Sequence, residues 1–209
     1  MTARAFSLAV LVAACLAGPA AAQPPPASPP DAFASFSAFC LEAKPGSPTA
    51  LARADAAGWA RIPEEMLAAE LAAIKEIKMR DIGLRVMVID RTFVMLMVGT
   101  GDMPLDGSES LQMNLCGFVS YSTQGAAVRQ RMQAFAGSPP MQIEDDEMQG
   151  FSMWMYIQDR NGRRDFLGEN DFMKLSRALK DGELNMLLAG EETGMTMMMH
   201  LKPVSGYAN

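Results

Sequence analysis

Apolar side chains recur every three or four residues over 31–42. Phe33, Phe36 and Cys40 share one face, with Phe39 beside them, and the spacing predicts a helix. Pro45-Gly46 ends it. Ser47-Pro48 then reads as an N-cap followed by proline at the first helical position, opening a short helix from Pro48 to about Ala57. Gly58 is its expected C-terminal cap, and Trp59 is expected to pack back onto it. Pro63-Glu64-Glu65 starts a third helix, with acids in the first turn offsetting the dipole. Leu67, Leu71 and Ile74 mark its buried face.

The pattern changes near Asp81. Residues 84–90 and 92–98 are rich in branched and aromatic side chains, as strands are. Gly99-Thr100-Gly101-Asp102 is expected to break the second run, 103–110 to form a loop, and 111–121 to make a third strand carrying Cys116. A helix over 125–136, with Val128, Met132 and Phe135 on one face, ends at Gly137-Ser138-Pro139-Pro140. Residues 150–158 form a strand closed by the turn Asp159-Arg160-Asn161-Gly162. Asn170–Lys180 is helical, with Phe172, Leu175 and Leu179 on its core side. Strands 183–189 and 194–202 are joined by Gly190-Glu191-Glu192-Thr193. No solenoid repeat is visible. The order predicts an α+β fold: N-terminal helices followed by a largely antiparallel sheet with two packed helices. It also predicts a single domain over 31–203, with a frayed tail over 204–209.

The first 22 residues follow a different pattern. Arg4 precedes an apolar run from Ala5 to Ala17, then Gly18-Pro19 and the small residues Ala20-Ala21-Ala22. This is the layout of a secretory signal peptide cleaved between Ala22 and Gln23. The run falls short of the roughly 20 residues a membrane span needs. Val12-Ala13-Ala14-Cys15 offers an alternative, a lipobox whose Cys15 would become an acylated N-terminus. Residues 23–30, QPPPASPP, read as a polyproline-like spacer. The expected location is periplasmic or secreted, or lipid-anchored in the envelope through Cys15.

Charge and cysteine usage then narrow the chemistry. The precursor carries a net charge of −6, and losing Arg4 with the signal makes the mature chain more acidic. That argues against nucleic acid, which calls for a basic stripe. Two cysteines remain after the signal, Cys40 and Cys116, and in an oxidising compartment such a pair predicts a disulfide tying the first helix to the sheet. A reactive thiol or a metal pair is the alternative, but the chain has no Cys-x-x-Cys motif and its sole histidine is His200.

Methionine is the compositional oddity, with 19 in the precursor. In a strand, Met195, Met197 and Met199 line one side, with Met198 and His200 on the other. Thioether sulfur suits Cu(I), so Met195, Met197, Met199 and His200 are candidate ligands of a periplasmic copper site. The plainer reading is flexible core filling. A Ser-His-Asp triad would have to use His200, and no Gly-x-Ser-x-Gly elbow accompanies it. The acidic run 144–147 and Asp159-x-Asn161-Gly162 lack calcium-loop spacing and read as solvated loops. Asp90, between two strands, reads as a turn residue. A carboxylate pair for hydrolysis remains open, because its spacing is three-dimensional. No nucleotide-binding glycine motif occurs, and no cofactor is expected.

The signal peptide, the helix with Cys40, the short helix ending in Gly58-Trp59 and the later strand cysteine together resemble small exported bacterial proteins of uncharacterised function. The resemblance covers roughly residues 33–62 and the region of Cys116. It implies an exported, disulfide-linked domain and carries no catalytic residues. The expected function is a non-enzymatic domain binding a protein or cell-envelope partner. A methionine-based Cu(I) binder and a carboxylate-pair hydrolase are the alternatives.

Overall fold

The computed structural model describes residues 31–43, 45–63, 80–89, 91–104, 110–122, 124–141, 150–159, 161–168, 170–192 and 194–204. The Asp31 carboxylate accepts the Ala34 N–H at 2.9 Å and starts α1, Ala32–Phe36. The chain continues through a wider π turn, Ser37–Leu41. Ser47 caps α2, Pro48–Ala56, by accepting the Thr49 N–H at 3.2 Å. β1 (Ala60–Arg61), β2 (Arg80–Ile89), β3 (Thr92–Pro104) and β4 (Ser110–Ser120) follow, then α3 (Gly125–Ala136), closed by Gly137 at φ 67°. β5 (Phe151–Gln158), β6 (Arg164–Leu167), α4 (Phe172–Lys180), β7 (Leu184–Glu192) and β8 (Met195–Pro203) complete the order. The predicted third helix from Pro63 falls mostly outside the described residues.

The strands form one antiparallel sheet of eight, in the order β1-β2-β3-β4-β8-β7-β5-β6. With its helices this is an α+β fold, as the element order predicts. Three expectations differ: the break at 99–102, the loop over 103–110, of which Met103, Pro104 and Ser110 are paired strand residues, and the inward Phe172. Gly99-Thr100-Gly101-Asp102 does not break β3, because each residue pairs with β4, from Gly99 opposite Leu115 to Asp102 opposite Gln112. Gly99 is needed for close approach: a Cβ there would lie 3.1 Å from the Arg80 carbonyl oxygen, beside the register shift between Arg80 and Gly83. β1 and β6 escape sequence reading, being too short to show a period. Phe172 also turns away from the core. The Asp171 carboxylate accepts the Gly168 N–H at 3.0 Å and sets where α4 begins. The buried stripe then runs through Leu175, Ala178 and Leu179.

The sheet has two different faces. The first packs under α1, α2 and α3 and holds the main core, including Leu96, Val98, Cys116, Phe118, Trp154, Tyr156, Leu187 and Met198. Its centre is aromatic: Phe118 meets Phe36 at 6.0 Å and Trp59 at 5.4 Å, and Phe39 meets Trp59 edge-on at 5.5 Å. Trp59 also donates its backbone N–H to the Ala54 carbonyl at 3.0 Å, which folds it back against α2 as expected. Arg85, nearly buried on the same face, holds α2 to β2 by binding the Asp55 carboxylate through Nε and Nη2. The second face is covered by α4 at one end, over Met113, Leu167, Leu184 and Met186.

Cys40 and Cys116 are joined, with Cα atoms 5.3 Å apart and a sequence separation of 76. The bond links the π turn to the middle of β4, as the sequence predicts. Closing a loop of that length removes about 4.5 kcal/mol of unfolded-state entropy in the chain-entropy model. Replacing both cysteines by alanine is therefore expected to lower the unfolding free energy by about 2–5 kcal/mol. Urea denaturation of the oxidised protein against the double variant measures it, and a loss under about 1 kcal/mol would contradict this role.

Candidate functional site

The densest polar arrangement in the core surrounds His200. β8 alternates: Thr196, Met198 and His200 are buried on the helix-covered face, while Met195, Met197 and Met199 are half-buried on the other. His200 is 2% exposed. Its Nδ1 lies 2.7 Å from the carbonyl oxygen of Cys40, in the last turn of the first helical segment. A carbonyl can only accept, so Nδ1 carries the proton. Nε2 then lies 3.1 Å from the Tyr156 hydroxyl and 3.1 Å from Asn185 Oδ1. Tyr156 donates to the neutral ring. The Asn185 amide is oriented by its own donation to the Glu183 carbonyl at 3.0 Å, so its oxygen faces Nε2 and can accept only if that nitrogen is protonated.

Burial decides the charge. Removal from water pushes the His200 pKa down to about 4, with the hydrogen bond to Cys40 opposing this and the charges of Lys202 and Arg164 adding to it. Burial also pushes the Tyr156 hydroxyl up to about 12, against the pull of Arg164. The Arg164 guanidinium lies over the Phe135 ring at 4.5 Å and 5.8 Å from the Tyr156 ring centroid. At neutral pH this is a neutral, hydrogen-bonded cluster tying the first helical segment to β5, β7 and β8. Its chemistry is positioning. The imidazole meets protein groups at both nitrogens.

Other candidates divide between the two faces and the surface. Met195, Met197 and Met199 share one face, and His200 stands on the opposite one, as strand alternation requires. Asp159 Oδ1 accepts the N–H groups of Asn161 at 2.8 Å and Arg163 at 2.9 Å, so this acid shapes its turn. Asp55 is held well below the usual carboxylate range, first by its hydrogen bond to Arg85 and then by Arg61. Asp31 is lowered by Arg131, and Asp171 by the Gly168 N–H and Lys174. Glu191 accepts the Gly125 N–H at 3.0 Å at the start of α3. These acids act as caps and ion-pair partners. Cys15, Ala22, Gln23, Asp90 and the acidic run 144–147 lie outside the described residues. Among the described residues no cluster of three His, Cys, Asp or Glu side chains could hold a metal.

Sequence reading missed Tyr156 and Asn185. The available signal was a polar residue at a core position, Asn185 within ELNMLLA and Tyr156 two residues after Trp154. Only the fold reveals that both face the one histidine.

The buried imidazole makes stability depend on pH. The unfolded chain takes up this proton near pH 6.5, while the folded protein resists it to about pH 4. The contribution is whole above about pH 6.5 and drains as pH falls toward 4, in total about 3 kcal/mol. His200→Gln is expected to remove this slope while lowering stability at pH 7. Urea denaturation at pH 7 and pH 4.5 measures both. An equal slope in the two proteins would contradict a buried neutral His200. Comparison of the chain with protein-family models, curated proteins and solved structures finds no match.

Proposed function

We propose that this is an exported, non-enzymatic domain that binds another protein or a cell-envelope component through the exposed start of α4. One observation carries the reading. Phe172 and Met173 are adjacent and 72% and 79% exposed, in a helix whose apolar spacing would have turned Phe172 inward. A large aromatic beside a flexible thioether, both in water, is the composition of an interface anchor with an adaptable neighbour. Export is supported by the signal-like first 22 residues, the Cys40–Cys116 disulfide, and the lack of a helix long and apolar enough to cross a membrane among the described residues. The mature chain begins at Gln23 in this reading, with an acylated Cys15 as the alternative start.

Two measurements test it. A photo-crosslinking residue placed at Met173 in the native cell is expected to capture one defined partner, and Phe172→Ser is expected to reduce that product at least tenfold without shifting the melting temperature. No product, or an unchanged yield in Phe172→Ser, overturns the docking role. The intact mass of the exported protein is expected to start at Gln23 and to rise by two hydrogens on reduction. A protein retained in the cytoplasm with its first residues intact overturns export.

A further inference from the structure

The second face of the sheet carries methionines on both sides of Gly117, a position of β4 without a side chain. Strand register aligns Met97 of β3, Gly117 of β4 and Met199 of β8 in one row. The next row on the same face is Met95, Val119 and Met197. Strands lie about 4.8 Å apart, so the two methionine-bearing strands are about 10 Å apart with β4 between them. Gly117 contributes no side chain to that space. A Cβ built there would lie 3.4 Å from Met199 Cγ and 3.8 Å from Leu115 Cδ2, so these two side chains cover Gly117. Met97 stands opposite Gly117 on β3. Met95 and Met197 stand two residues along their strands, about 7 Å away, within reach of flexible thioether side chains.

Met97 packs with Leu84 in a small apolar cluster that Met95, Ile62, Ile82 and Leu115 border. Met132 and Met198, on the helix-covered face, are 0% exposed and lie in the main core. Met95, Met197 and Met199 are half-buried, and Met97 is 9% exposed.

We infer that Met95, Met97, Met197 and Met199 form a binding site for Cu(I) on this face, with the Met199 side chain leaning across Gly117. The donor chemistry selects the ion. Thioethers are soft, neutral ligands that favour Cu(I) over Zn(II), Cu(II) and the hard cations. They carry no proton to displace, so binding does not vary across the pH range in which histidine and cysteine sites lose metal. The ligand set differs from a run confined to β8. His200 takes no part, being on the opposite face with both ring nitrogens engaged. The second pair of sulfurs comes from β3, which only the sheet order brings near. The site is independent of the Phe172–Met173 surface, so failure of either leaves the other standing.

The test is anaerobic titration of the oxidised mature protein with Cu(I) against a chromogenic chelator at pH 5 and pH 8. The wild type is expected to take up one equivalent, with the same affinity at both pH values. Met97→Leu/Met199→Leu preserves volume and is expected to lose at least tenfold in affinity, whereas Met132→Leu binds as the wild type. Methionine methyl NMR of the wild type supplies a readout independent of any variant. The ε-methyl signals of Met95, Met97, Met197 and Met199 are expected to shift with Cu(I), and those of Met132 and Met198 to stay. No uptake by the wild type, unchanged affinity in the double variant, or shifts confined to other methionines each overturn the site.

Discussion

Cys40 is the joint on which the helix-covered half of this protein depends. Its sulfur is bonded to Cys116 in the middle of β4, and its carbonyl accepts from His200 of β8. One residue at the end of the first helical segment is thus fixed to two neighbouring strands, covalently to one and by a hydrogen bond to the other. The wide π turn over Ser37–Leu41 carries Phe39 onto Trp59 and Phe118, so the aromatic cluster assembles around the same point. A helix end normally leaves carbonyls for water to satisfy. Here a buried imidazole does that work, and it must stay neutral to remain in an apolar core.

That requirement organises the polar residues nearby. Tyr156 can donate to the unprotonated nitrogen, so a phenol is useful where phenylalanine would leave Nε2 without a donor. Asn185 is held by Glu183 and presents an oxygen that only a protonated ring could use. The cluster therefore holds an acceptor poised for the imidazolium, while burial resists forming it. Acid is expected to reach this part of the core through the unfolded chain, which protonates first.

The two faces of the sheet divide the properties of the molecule. One carries the disulfide, the aromatic cluster and the polar knot, and is sealed by three helices. The other carries the methionines of β3 and β8 beside a small apolar cluster, with α4 over one end. Glycine contributes to both. Gly99 lets β2 bulge against β3, and Gly117 leaves room for the Met199 side chain to lie over β4. In each case the missing side chain matters more than backbone freedom.

Local pattern alone determined most of the element types and limits, the α+β class and the cysteine pairing. These follow from helical spacing, branched and aromatic runs, capping residues and the small number of cysteines, all of which act over a few residues. It also assigned Met195, Met197 and Met199 to one side of a strand, because alternation is a property of the strand itself. Tertiary structure alone decided that β3 continues through its glycines, since pairing with β4 outweighs their weak intrinsic preference for strand. It decided that Phe172 faces water, because the turn set by Asp171 fixes the helix phase. It brought Tyr156 and Asn185 to His200, and put Met95 and Met97 on the same face as Met197 and Met199. Those meetings depend on strand order, with β8 inserted between β4 and β7. Such long-range pairing comes from fitting every buried face at once and leaves no mark in a local window.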